Sequence, residues 1–289
     1  MCLCASDSKP SSSCGRHERS AQHAYEPIRR REVVHSWGEL IETWPMSSNQ
    51  DPILLDLSQF TSPEHAMAVI VRKRGFDDVV KPVLTEAINA MEGPTMLLAF
   101  CQSAITRANG LYEGIVREIR ASNHPAVFVL MRQLAETVAV VRYVADKPSY
   151  VTALLRPEKE WKPGEPKRKK IQSLIDYMDK HYSTQFKAVY AELSELCHFG
   201  STAVWQSHVI VSDQERTAVW SSRPAWRSQR TLYVACAQVL ELGEEMAQAL
   251  VRLAETVTAE ATSGKVTGQF YEVSDEEAAA IMNVQVDEE

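Results

Sequence analysis

The chain predicts a mainly α fold, a helical bundle of four or more long helices with one β-hairpin insert. Three observations lead there. The segment from Ala126 to Ala145 is almost wholly apolar, with Arg132 and Glu136 set four residues apart inside it. Leu97, Cys101, Ala104, Ala108, Leu111 and Ile115 alternate at spacings of four and three, which lines one face of a long helix. Leu232, Cys236, Val239, Leu242, Met246, Leu250, Leu253 and Val257 build a second long stripe.

Element by element, residues 1 to about 30 are rich in Ser, Arg, His and Lys and read as a disordered tail. The helical domain spans 31–262. Val33 to Trp44 suits a short amphipathic helix stopped by Pro45, and Pro52 to Phe60 is ambiguous. Ser62-Pro63-Glu64 is a helix cap with proline in the first turn. Asp77 to Met91 is a helix ended by Gly93-Pro94, and the helix from Thr95 ends near Ala121. Ser122-Asn123-His124-Pro125 then opens the apolar helix, which runs to about Asp146. Pro148, Pro157, Pro163, Gly164 and Pro166 break the pattern in a basic insert around Trp161. Phe186, Val189, Tyr190, Leu193, Leu196 and Cys197 form another stripe, closed by Phe199-Gly200. Trp205 to Val211 and Arg216 to Ser221 are β-prone, which predicts a hairpin about 204–222. Residues 263–289 turn acidic and read as a mostly disordered tail, although Ser274-Asp275-Glu276-Glu277 has a capping-box pattern.

Composition narrows the class. A chain of 289 residues with 45% hydrophobic and 24% charged content has the means to bury a sizeable core. Its net charge of -7 argues against nucleic-acid binding by the whole surface, while local basic patches can still act. No run approaches the roughly 18 charge-free apolar residues of a membrane span. The six cysteines lack regular spacing and fit reduced thiols in a cytosol, and no secretory signal is visible, so a cytoplasmic protein is expected.

Two charges inside an apolar helix are costly unless they find partners. Arg132, Gln133, Glu136 and Thr137 share one narrow sector of the wheel, a polar island about two turns long. It suits either an ion pair that pins two helices or a pocket where Glu136 moves a proton and Arg132 holds an anion. His198, at the end of the Phe186 helix, is the expected partner, so Arg132, Glu136 and His198 are the candidate catalytic set. Trp161, Lys167, Arg168 and Lys169 in the basic insert are candidate RNA contacts, cations for phosphates and an indole for a base. Cys2, Cys4, Cys14 and His17 have the wrong spacing for zinc, and Cys197 continues an apolar stripe. No Gly-rich phosphate loop, nucleophile elbow or His-Glu-x-x-His appears, so neither cofactor nor metal is expected.

The run Asn123-His124-Pro125-Ala126, the segment Leu130-Met131-Arg132-Gln133-Leu134-Ala135-Glu136, and Tyr190-x-x-Leu193-Ser194-x-x-x-His198 together resemble a family of uncharacterised bacterial helical proteins. Arg-x-x-x-Glu on one helix and Leu-Ser-x-x-x-His ending a later one are its hallmarks. The resemblance spans roughly residues 95 to 255 and extends distantly to HEPN-type and abortive-infection bundles, some of which are ribonucleases. It implies that Arg132, Glu136 and His198 form a polar triad. HEPN nucleases, however, place Arg and His four to six residues apart on one helix. Here the nearest match, Arg117 to His124, straddles a helix end.

Three functions follow as expectations. The first is an interaction or regulatory protein in bacterial stress or phage defence. The second is a metal-independent ribonuclease using Arg132, Glu136 and His198. The third is a small-ligand sensor with its pocket at the polar island. The apolar faces of the helices from Thr95 and Trp226 also suit a homodimer.

Overall fold

Helix α4 is the element against which α3, α5, α6, α7 and the last helix pack. The computed structural model describes residues 55–71, 75–90, 95–156, 167–182, 185–198, 208–212, 217–220 and 222–264. Its helices are α1 (Pro63–Val71), α2 (Phe76–Ala90), α3 (Met96–Arg120), α4 (His124–Asp146), α5 (Tyr150–Leu155), α6 (Ile171–His181), α7 (Phe186–Cys197) and α8 (Gln229–Ser263). The helix expected at Val33–Trp44, the tail 1–30, Trp161 and residues 265–289 lie outside the described residues.

Local chemistry explains the boundaries. Ser62 accepts the His65 N–H at 3.1 Å at the start of α1, and Thr95 accepts the Leu98 N–H at 3.1 Å at the start of α3. The α3–α4 turn is a Schellman closure. The Asn123 N–H reaches Glu118 O and the Ser122 N–H reaches Ile119 O, while Ser122 itself takes φ +57°. The Asn123 side chain binds Glu118 at 2.7 Å and does not cap α4. Gly264, at φ +64°, ends α8 in the left-handed conformation that glycine adopts without strain.

Packing follows the apolar stripes. α4 lies against α3, α6, α7 and α8, and α8 in turn covers α1, α2 and α3. Phe128, Met131, Leu134, Val138, Val141 and Val144 of α4 are buried, as an apolar helix requires. Every residue of the α8 stripe from Leu232 to Val257 is buried as well. Trp226 donates its indole N–H to Ile119 O at 3.2 Å and packs beside His124, which fixes the approach to α8 against the α3–α4 corner.

The expectation of a β-hairpin insert as part of the fold class is corrected. The fold is mainly helical, and no sheet contributes to the described core. Residues 208–212 and 217–220 run antiparallel with His208 opposite Trp220, but their register shifts between Ile210 and Ser212. Trp220 is 62% exposed. Two short strands with no third strand among the described residues are marginal in water and add no layer to the described fold. The alternating apolar pattern marks extended backbone only, and the core of the described residues is helical.

Candidate functional site

The polar island sits on α4 where α3 and α7 approach it. Arg132 and Glu136 lie one turn apart, Nε to Oε1 3.2 Å, with side chains 26% and 22% exposed. Their common partner is a phenol. The Tyr190 hydroxyl, from α7, donates to Glu136 Oε1 at 2.8 Å and accepts from an Arg132 terminal nitrogen at 3.2 Å. The guanidinium also stands over the Tyr190 ring, 5.4 Å from its centroid. The Tyr190 hydrogen bond raises the Arg132 pKa, with burial opposing it and Glu136 adding to it. Arg132 Nε is buried and makes no hydrogen bond, so its contact with Glu136 is ionic only.

The network extends to α3. Gln133 donates to Glu136 Oε2 at 3.4 Å, and Arg107 reaches Gln133 Oε1 at 2.9 Å and Thr137 Oγ1 at 3.2 Å. Both Glu136 oxygens are therefore engaged, and the island joins α3, α4 and α7. Burial is the main cause that raises the Cys197 pKa, with Arg132 acting against it and Glu136 with it. That thiol stays protonated near neutral pH and is no ready nucleophile.

His198 stands elsewhere. It caps α7 with its N–H on Ser194 O at 3.2 Å, its backbone is extended, and its side chain is exposed. Its imidazole makes no hydrogen bond or ion pair with Arg132 or Glu136 among the described residues. The structure thus brings Arg132 and Glu136 together and substitutes Tyr190 for the expected histidine. Tyr190 was legible as a stripe residue of its helix; nothing in its spacing marked its hydroxyl. A cleft does open between α1, α2 and α3, over Ile70, Phe76, Tyr112 and Val116, but none of the three candidate residues lines it.

A second cluster gathers at the far end of α4. Tyr143 meets Tyr150 and Tyr177 edge-on, each with ring centroids 4.9 Å apart. Asp146 accepts the hydroxyls of both Tyr177, at 2.8 Å, and Tyr182. Burial first, and then Asp146, push the Tyr182 pKa up to about 12. Arg142 stacks on Tyr182, 4.8 Å from its ring centroid, and reaches Glu245 of α8 at 3.6 Å.

Cations rim this tyrosine cluster. The ammonium groups of Lys147 and Lys169 stand 5.6 Å and 5.5 Å from the centroid of the same Tyr143 ring. The Lys169 N–H binds the Tyr150 hydroxyl at 2.8 Å, which ties the start of α6 to α5, and Arg168 reaches Arg156 O at 3.5 Å. Lys147, Lys167, Arg168, Lys169 and Lys170 are all exposed. None of the five pairs with a carboxylate among the described residues. The expected contacts Lys167, Arg168 and Lys169 therefore share one surface. Lys147 joins them from α4, signalled only by its place four residues after Tyr143.

Comparison with protein-family models, with curated proteins and with solved structures returns no match for this chain.

Proposed function

We propose that the chain is a non-catalytic interaction protein and that single-stranded RNA is its partner, bound at the basic end of the bundle. The observation that carries this is a set of exposed cations, Lys147, Lys167, Arg168, Lys169 and Lys170, that pair with no carboxylate among the described residues, in a protein of net charge -7. Like charges repel one another, and a phosphate chain relieves that repulsion while it releases counterions. Tyr182, 39% exposed, shares Asp146 with Tyr177, whose ring centroid lies 5.9 Å from the Lys147 ammonium, and offers an aromatic surface for a base. The polar island favours the same conclusion from the other side. Its carboxylate is held by a phenol and a guanidinium, which suits a clamp between helices better than a proton-transfer group. The resemblance to abortive-infection bundles gives this reading its setting, a regulatory role in bacterial defence.

Fluorescence anisotropy with a labelled single-stranded RNA of about 20 nucleotides tests it over a salt series. Four phosphate contacts predict that log K falls with log salt at a slope of about -3. Lys167→Glu combined with Lys169→Glu weakens binding about tenfold or more, with melting temperature unchanged. Equal affinity for that variant and the parent overturns the reading. RNA cleavage that is lost in folded Arg132→Ala and His198→Ala variants installs the ribonuclease reading in its place. A melting-temperature rise with a small metabolite, absent in both variants, installs the sensor reading.

A further inference from the structure

We propose that residues 265–289, the acidic segment after α8, dock on the basic end formed by Lys147, Lys167, Arg168, Lys169 and Lys170 and compete there with RNA. The competition rests on the reading of that surface given above; the docking does not.

The exit point comes first. Thr256 of α8 donates to Ala145 O at 3.2 Å, in the last turn of α4 and two residues from Lys147. The two helices run in the same direction here, since Arg142 meets Glu245 and Gln248 while Ala145 meets Thr256. α8 continues for seven residues to Ser263, about 10 Å at 1.5 Å per residue. Along that stretch Glu260 accepts the Thr95 hydroxyl at 3.3 Å, at the start of α3, the helix on which α5 packs. The last turns of α8, the start of α3, the end of α4, α5 and the start of α6 thus belong to one end of the bundle.

Reach and charge agree with that placement. A segment of 25 residues can span at most about 80–90 Å, ample for a surface that begins beside Thr256. It carries Glu272, Asp275, Glu276, Glu277, Asp287, Glu288 and Glu289 against Lys265 alone. Its acids fall in two groups, and the cations opposite pair with no carboxylate among the described residues. Tethering sets the effective concentration of such a segment near the millimolar range, so weak contacts suffice to occupy the site. RNA offers the same negative charges and must displace it.

Zero-length carbodiimide cross-linking of the full chain without RNA, read by peptide mass spectrometry, tests the docking. Links are expected from Lys147, Lys167, Lys169 or Lys170 to acids between Asp275 and Glu289, and they fade at about 1 M salt, where screening reaches about 3 Å. Links from those acids only to other lysines, or none, overturn the proposal. Competition is tested in a full chain carrying Asp275→Asn, Glu276→Gln, Glu277→Gln, Asp287→Asn, Glu288→Gln and Glu289→Gln. That variant binds the labelled RNA about tenfold more tightly at low salt than the parent does. Equal RNA affinity overturns the competition. Failure of both chains to bind RNA defeats the RNA reading alone, and the cross-links then decide the docking.

Discussion

A single hydroxyl organises the charged pair in α4. Tyr190 donates to Glu136 and accepts from Arg132, so its removal leaves both half-buried charges short of a partner. Tyr190→Phe keeps the ring under the guanidinium and removes only these bonds. The variant is expected to lose about 1–3 kcal/mol, the usual penalty for stranding a buried polar group. Urea denaturation measures this, and a cycle with Glu136→Gln should show coupling of about 0.5–3 kcal/mol between the two sites. Additive losses would mean that the clamp does not work as a unit. Arg132 and Glu136 were legible because charges in an apolar helix stand out. Their partner was not, because Tyr190 reads as one more large apolar residue in its stripe. His198 suits the role in sequence by its chemistry and its place at a helix end. That place is what removes it: Cys197 is the last helical residue, and His198 itself is extended and exposed.

The helices themselves were readable wherever period and punctuation agreed, as at Ser62-Pro63 and along α3, α4 and α8. Burial of individual groups within an element was not, and α7 shows the consequence. Glu192 is a half-buried carboxyl whose pKa burial pushes up from its ordinary 4.5 to about 8. An acid that holds its proton more tightly in the folded chain stabilises the fold while protonated. That contribution is complete below about pH 4.5 and is lost as pH rises toward 8. His124, whose pKa burial lowers from 6.5, acts in the opposite sense, and its contribution is lost below that value. Between pH 7 and pH 9 the Glu192 term therefore changes while the His124 term is nearly constant. Over that interval the melting temperature of the parent should fall more than that of Glu192→Gln, in which nothing at this position titrates. Parallel curves from scanning calorimetry would show that Glu192 is solvated. The same limit applies to the hairpin: β-prone residues report what a segment does locally, and only packing decides whether it joins the core.

Across the whole molecule, the apolar stripes that suited a homodimer are consumed inside one chain. Leu97, Cys101, Ala104, Ala108 and Ile115 of α3 are buried in the unpaired subunit, and so is the whole α8 stripe. Period alone cannot distinguish a face turned to the chain's own core from one turned to a second copy, which is why both readings fitted the sequence. The large apolar residues left exposed among those described are Val71, Ile88, Val129, Leu155, Tyr182 and Trp220. Each belongs to a different element or its edge, whereas a stable interface buries about 1,200–2,000 Å² with an apolar centre. The exposed cations at the end of α4 work against self-association through that surface as well, because a two-fold contact there would set like charges against each other. Light scattering coupled to size exclusion at micromolar concentration should therefore give 32.4 kDa, one chain, at both low and moderate salt. A mass of twice that value, persisting at low salt where cation repulsion is strongest, would require a continuous apolar patch that none of these side chains supplies.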